Sequence, residues 1–167
     1  MNISYKSPGA LEQTRFEKIH SVIIDDSKKA SLIIAKEISD LIVKKQKHNK
    51  NCVLGLATGS SPISVYQELV RMHKEDGLSF RNVVSFNLDE YYPMTKKDIN
   101  SYHYFMKVHL FDHIDINKNN IHIPDGNIKK EKINEYCAEF EKKIVKQGGI
   151  DFQLLGIGRT GHIGFNE

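Results

Sequence analysis

Apolar residues recur at the spacing of an amphipathic helix in four segments of the chain. The first predicted helix begins at the cap candidates Asp25-Asp26-Ser27 and ends in the lysine-rich segment 44–50. Its apolar face consists of Ala30, Ile34, Ile38, Leu41 and Ile42. The other three helices are predicted over residues 62–76, 101–111 and 129–147. Ser61 is the expected N-cap of the second helix, and Pro62 its first helical residue.

Short apolar runs alternate with these helices. They cover residues 52–57, 83–88, 121–123 and 151–157. Apolar runs without polar alternation are typical of strands that are buried on both faces of a sheet. The alternation therefore predicts a single α/β domain over residues 1–167, with a mostly parallel sheet. Because such sheets bind ligands outside the carboxyl ends of their strands, the segments that follow strands are the candidates for chemistry.

The amino-acid composition and charge exclude several classes of protein. Of 167 residues, 40% are hydrophobic and 27% are charged, which is typical of a globular domain and excludes a disordered or fibrous chain. The net charge is only +3, and no aromatic residues interleave with the lysines of segment 44–50, so we expect no nucleic-acid partner. No apolar run reaches the roughly 18 residues of a membrane span, and the N-terminus lacks a signal-peptide pattern. With Cys52 and Cys137 far apart and unpaired, these features predict a cytoplasmic protein without a membrane partner.

The segment 57–62, Ala-Thr-Gly-Ser-Ser-Pro, follows the first predicted strand. Gly59 would let the backbone approach a ligand, and the hydroxyls of Thr58 and Ser60 add hydrogen-bond donors beside a helix N-terminus. This combination is typical of a phosphate-binding turn, although an ordinary capped loop would look the same. It is not a Walker A loop, because no Gly-Lys-Ser/Thr follows.

Asp89 and Glu90 follow the second predicted strand. Adjacent side chains of an extended chain point in opposite directions, so only one of the two carboxylates is expected to face the crevice at the strand ends. Apolar and aromatic neighbours would raise the pKa of that carboxyl by desolvation, which suits a general base. A structural turn carboxylate is the alternative.

The segment 156–167 is rich in glycine and contains His162 and Glu167, a histidine and a carboxylate that could form an acid/base pair. Gly156, Gly158 and Gly161 also satisfy the Gly-x-Gly-x-x-Gly pattern of dinucleotide-binding proteins. That alternative is disfavoured because no acidic residue follows about 20 positions later in this sequence.

With these motifs, the chain resembles the glucosamine-6-phosphate deaminase/isomerase family over about residues 30–167. The matching stretches are Leu54–Pro62, Val83–Tyr91 with its core Phe86-Asn87-Leu88-Asp89-Glu90-Tyr91, Asn100-Ser101-Tyr102, and Gly158–Glu167. The resemblance implies a Rossmann-like three-layer α/β sandwich and a phosphorylated amino-sugar substrate. It also implies no metal, no organic cofactor and a homo-oligomer.

The resemblance also implies roles for individual residues. Asp89 would move a proton between C2 and C1 of the open-chain sugar, His162 would open the pyranose ring, and Glu167 would tune the protonation of His162. The substrate and its phosphate would be bound by Thr58, Gly59, Ser60 and Glu90. Ammonia would leave as the amino sugar becomes fructose 6-phosphate.

Two departures from the family pattern are visible. Thr160 stands two positions before His162, where the family deaminases usually carry an aspartate, so the imidazole has a neutral hydroxyl neighbour. The family chain continues beyond the point at which this one ends, so we expect an N-terminal fragment with an incomplete sheet. Alternative functions are a related sugar-phosphate isomerase or lactonase, and a sugar-phosphate-binding module without catalysis.

Overall fold

Four parallel strands form one sheet in the computed structural model, which describes residues 22–166. The strands are β1 (Cys52–Leu56), β2 (Val83–Asn87), β3 (Ile121–His122) and β4 (Phe152–Gln153), in the order β3-β2-β1-β4. β1 pairs with β2 from Cys52 opposite Val83 to Leu56 opposite Asn87. Because all the pairings are parallel, the carboxyl ends of the strands lie at one edge of the sheet.

Helices cover both faces of this sheet. They are α1 (Ser27–Lys47), α2 (Ile63–Asp76), α3 (Tyr102–His109) and α4 (Ile133–Lys146). Single 3₁₀ turns lie at Phe111–His113, Lys118–Asn120 and Lys130–Lys132. The predicted α/β fold with a parallel sheet is confirmed, and the layers are helix, sheet and helix.

The period-two geometry of the strands divides the core between the two faces. Leu54 and Leu56 of β1 pack with buried residues of α1, α2 and α3 on one face. Val53, Val84 and Phe86 point to the other face, where they pack against α4. The unbroken apolar runs of β1 and β2 in the sequence reflect this burial on both sides, since all ten of their residues are buried.

Most predicted elements are confirmed, with differences at their ends. Asp26 caps α1 as expected, accepting a hydrogen bond from the Lys28 amide at 2.8 Å. The second helix begins one residue later than predicted, and Pro62 rather than Ser61 occupies its N-cap position. The fourth helix starts at Ile133 instead of residue 129, because a 3₁₀ turn precedes it.

The prediction of a buried strand over residues 151–157 is wrong in its length. Only Phe152 and Gln153 pair with β1, and Leu155 and Ile157 are exposed. The Leu154 amide still bonds to the Gly55 carbonyl at 2.9 Å, but β1 itself ends at Leu56. Beyond that point the chain has no strand to pair with, and it turns across the carboxyl edge of the sheet.

Candidate functional site

A cavity of about 440 Å³ lies at the carboxyl edge of the sheet. Three segments that follow strands line it: residues 57–62 after β1, residues 88–89 after β2 and residues 156–164 after β4. Tyr102 of α3 completes the wall. The predicted residues Thr58, Gly59, Ser60, Asp89 and His162 all line this one cavity. The topology therefore brings together motifs that are far apart in the sequence.

The turn after β1 is held by a buried tyrosine. The Tyr66 side chain is fully buried, and its hydroxyl donates a hydrogen bond to the Ala57 carbonyl. Burial raises the pKa of Tyr66 well above its ordinary value, so its hydroxyl remains protonated. Gly59 has a φ of 96°, a conformation that side chains rarely adopt, and Ile63 then begins α2. The cavity is therefore lined by a glycine turn, by the hydroxyl side chains of Thr58, Ser60 and Ser61 and by a helix N-terminus, which together suit an anion.

Asp89 is half-buried at the end of β2. Burial raises the pKa of its carboxyl, the Phe165 amide opposes this as a hydrogen-bond donor, and the nearby Glu90 charge raises the pKa further. A Cβ on Gly164 would lie 2.8 Å from Asp89 Oδ2, so the glycine-rich loop contacts this carboxylate closely. A carboxyl with a raised pKa at the mouth of a cavity has the character of a general base.

Contacts within its own loop hold His162 in place. Its Nδ1 is hydrogen-bonded to Thr160 Oγ1 at 2.8 Å, and its carbonyl accepts from the Gly158 amide at 2.9 Å. The ring covers Gly158 so closely that an added Cβ there would lie 2.2 Å from both Cε1 and Nε2. The threonine therefore orients the imidazole through a neutral hydroxyl and leaves Nε2 as the nitrogen that packs over Gly158.

Three aromatic rings hold the glycine-rich loop against the start of α3. Phe165 of the loop lies 4.9 Å from Tyr91 and 5.7 Å from Tyr102, measured between ring centroids. The rings of Tyr91 and Tyr102 are themselves 4.9 Å apart. This cluster keeps the loop that carries His162 close to the strand end that carries Asp89.

Tyr102 and Arg159 line the cavity but received no functional assignment from the sequence. Burial and the neighbouring Tyr91 raise the pKa of the Tyr102 phenol, so it remains protonated and can donate a hydrogen bond. Arg159 is the second, and it is the only cation of the segment 156–167. The sequence did offer a signal for Arg159, because a single arginine in a glycine-rich loop after a strand is a candidate anion contact. For Tyr102 it indicated only that the side chain faces inward from a helix.

Glu90 lies apart from the other predicted site residues. Its side chain is only 2% exposed and does not line the cavity. Its carboxylate accepts hydrogen bonds from the amides of Tyr102 at 2.9 Å and His103 at 3.1 Å, and it lies 2.9 Å from His103 Nδ1. A carboxylate on the first amides of a helix satisfies donors that have no partner within the helix. In this structure Glu90 thus anchors α3, the helix that carries Tyr102.

We predict that Glu90→Gln lowers the free energy of unfolding by about 1–3 kcal/mol, because a buried amide cannot replace all of the charge-assisted hydrogen bonds. Urea unfolding of the protein measures this. Glu139→Gln is the matched control, since Glu139 is exposed and forms a surface ion pair with Lys142, so that this substitution should change stability by a few tenths of a kcal/mol. Equal effects of the two substitutions would contradict the anchoring role.

Glu167 lies outside the described residues, so its predicted pairing with His162 stays a prediction. Among residues 22–166, no group of three or more histidine, cysteine, aspartate or glutamate side chains could hold a metal ion. No helix in the described part of the chain is long and apolar enough to span a membrane.

Comparison with known proteins agrees with the fold and the motifs. Residues 25–164 match the family model described as glucosamine-6-phosphate isomerases/6-phosphogluconolactonase. A glucosamine-6-phosphate deaminase-like protein of Bacteroides thetaiotaomicron is 51% identical over 98% of this chain and 25% of its own length. The glucosamine-6-phosphate deaminase of Bacillus velezensis is 49% identical over 80% of this chain and 55% of its own length.

Solved structures show the same likeness in three dimensions. A monomeric glucosamine-6-phosphate deaminase superposes with a TM-score of 0.80 at 41% identity, over 86% of this chain and 57% of that one. A 6-phosphogluconolactonase from Plasmodium vivax superposes with a TM-score of 0.65 at 25% identity, over 83% of this chain and 46% of that one. The chain spans about half the length of the curated deaminases that it matches. The motifs, the fold and these matches agree: the chain belongs to the glucosamine-6-phosphate isomerase/6-phosphogluconolactonase family.

Proposed function

We propose that the full-length protein is a glucosamine-6-phosphate deaminase, which isomerises an amino-sugar phosphate from aldose to ketose and releases ammonia. The observation that carries this proposal is the single cavity in which Asp89, His162 and the turn of Thr58, Gly59 and Ser60 meet. A proton acceptor, an imidazole and an anion-binding turn are the groups that such a reaction requires. The relatives named as deaminases, at 46–49% identity, support the same assignment.

The chemistry follows from the position of each group. His162 moves a proton at the ring oxygen, which opens the pyranose. Asp89 takes the proton from C2, the electrons of the C2–H bond form a C1=C2 double bond, and the C1 carbonyl oxygen takes up a proton from the solvent. Asp89 then returns its proton to C1 as the nitrogen lone pair forms a C=N bond at C2. Water adds to this imine carbon and ammonia leaves, which gives the C2 carbonyl of fructose 6-phosphate. A raised pKa suits Asp89 for this exchange because the same carboxyl must both accept and return the proton.

The phosphate end of the substrate is assigned to the turn after β1. Gly59 leaves open backbone there, since no atom of residues 22–166 lies within 4 Å of the position of an added Cβ. The hydroxyls of Thr58 and Ser60 line the same cavity, and Arg159 faces it from the opposite loop. We assign Arg159 to the anion as well, and Tyr102 to a sugar hydroxyl through its protonated phenol. Glu167 remains assigned to His162, and Glu90 supports the site through α3.

The direct test is an assay of the full-length protein with glucosamine 6-phosphate. We expect ammonia and fructose 6-phosphate in equal amounts, with solvent deuterium entering C1 of the product. Hydrolysis of 6-phosphogluconolactone without ammonia release would instead support the lactonase alternative. Binding of the amino-sugar phosphate with no deuterium exchange would identify a binding module and overturn the enzymatic proposal.

The remaining proposals concern the protein as a whole. We place it in the cytoplasm, in N-acetylglucosamine catabolism, without a cofactor, and residues 1–167 as the N-terminal part of one α/β domain. A homo-oligomer stays a prediction, and the solved relative described as monomeric is a counter-example within the family. Light scattering of the full-length protein measures the oligomeric state.

A further inference from the structure

A second cavity, of about 600 Å³, lies along the edge strand β3 between α3 and α4, and it shares no lining residue with the candidate active site. Its apolar wall includes Phe111, Ile123, Tyr136 and Phe140, which are buried or half-buried. Two interactions with neighbouring residues hold this wall in place. The Phe140 ring packs edge-on against Phe86 with ring centroids 5.7 Å apart, and the Tyr136 hydroxyl accepts from the Asp125 amide at 2.8 Å.

Four lysines line the same cavity, and two of them lack a counter-charge. Lys107 is paired with Asp112, and Lys96 lies 3.6 Å from Asp125. Lys118 and Lys143 have no carboxylate partner among residues 22–166. Cationic side chains around an apolar wall favour a ligand that is anionic at one end and apolar at the other.

Two histidines complete the wall. His122 stacks on Phe86 with ring centroids 4.6 Å apart, and burial, with the nearby charge of Lys143, lowers its pKa. His122 is thus a neutral ring beside an unpaired ammonium group. His103 holds Glu90 with Nδ1 and borders the cavity with the rest of its ring. The excess positive charge of this cavity is therefore carried by Lys118 and Lys143, which no carboxylate among residues 22–166 neutralises.

We propose that this cavity binds a small phosphorylated molecule with a flat apolar ring, its phosphate held by Lys118 and Lys143 and its ring against Phe111 and Phe140. A volume of about 600 Å³ lies within the range of small-molecule sites, about 300–1,000 Å³. A phosphate monoester carries about two negative charges at neutral pH, which matches the two unpaired lysines. Lysine binds phosphate as a point charge from a flexible stem, so no fixed fork geometry is required.

The test is a titration of the full-length protein with phenyl phosphate, followed through the imidazole NMR signals of its histidines. We expect saturable shifts of His122 and His103 that reach half-maximum at a concentration roughly tenfold lower than for inorganic phosphate, because only phenyl phosphate buries a ring. His162 reports separately on the candidate active site. Lys118→Glu with Lys143→Glu should raise the Kd at the His122 signal about tenfold or more.

Lys130→Glu with Lys146→Glu is the matched control, since it makes the same charge change on exposed lysines that also have no carboxylate partner among residues 22–166 and that do not line the cavity. Circular dichroism establishes that both double variants are folded. The proposal is overturned if only His162 shifts, if the two phosphates bind equally, or if the control pair weakens binding as much as the cavity pair. None of these readouts depends on catalysis, so they are independent of the outcome of the deaminase assay.

Discussion

Asp89→Asn is expected to lower the turnover of glucosamine 6-phosphate by the full-length protein about 10²–10⁴-fold, because a carboxamide cannot accept the C2 proton. The expected loss is in kcat, and substrate binding should change little, since the phosphate is held elsewhere in the cavity. Deuterium exchange into C1 should disappear together with turnover. Asp40→Asn, on the exposed face of α1, is a matched control that should leave both unchanged.

The raised pKa of Asp89 also predicts how Asp89→Asn changes stability and how activity depends on pH. Burial raises the pKa of Asp89, so the folded state favours the neutral carboxyl, and this contribution to stability is lost as pH rises through the raised pKa. At neutral pH, Asp89→Asn should therefore leave the free energy of unfolding unchanged or higher. Activity needs the ionised base, so kcat/KM of the unsubstituted protein should rise with pH through the raised pKa of Asp89. Unchanged turnover in Asp89→Asn would contradict the role of Asp89 as the base.

Gly158→Ala is expected to lower turnover by about 10²-fold, because the new Cβ would occupy the place of the His162 ring. The ring cannot yield without disturbing its contact with Thr160, which holds Nδ1 at 2.8 Å, so the imidazole must leave its orientation in the cavity. Assays of kcat measure the loss, and the His162 NMR signal should shift in parallel.

Gly156→Ala is the matched control for this prediction. The position lies two residues earlier in the same loop, and no atom in the described part of the chain lies within 4 Å of an added Cβ there. Gly156 also lacks the left-handed backbone conformation of Gly59, Gly161 and Gly164, so alanine is not strained. Similar losses in the two variants would show that the loop, and not the placement of His162, limits activity.

The local elements were predictable because their signals lie within a few residues. Helical spacing located α1, whose Ile38 and Ile42 are fully buried, and Asp26 is the cap that the sequence indicates. The apolar runs located β1 and β2. The length of β4 was not predictable, because strand pairing requires a partner, and β1 ends where the apolar run of the last strand continues.

The candidate site was likewise predictable from the sequence only in part. The carboxyl-edge rule for parallel sheets was sufficient to expect the turn after β1, the carboxylates after β2 and the histidine loop in one place. Tyr102 and Arg159 were not expected, because a residue type in a helix or a loop does not reveal which cavity its side chain will face. Their positions depend on the packing of α3 and the glycine-rich loop through the rings of Tyr91, Tyr102 and Phe165.

The sequence by itself determined the α/β class, the parallel arrangement of the strands and the strand ends that carry the candidate site residues. Hydrophobic periodicity and the order of motifs are local properties, so they can be read from the sequence alone. It also required that one of two adjacent carboxylates face away from the crevice. Only the tertiary structure decided which one. The first amides of α3 and the ring of His103 hold Glu90 in the interior, and that leaves Asp89 in the cavity with His162. Those partners lie more than ten residues away along the chain, so only the folded backbone brings them to Glu90.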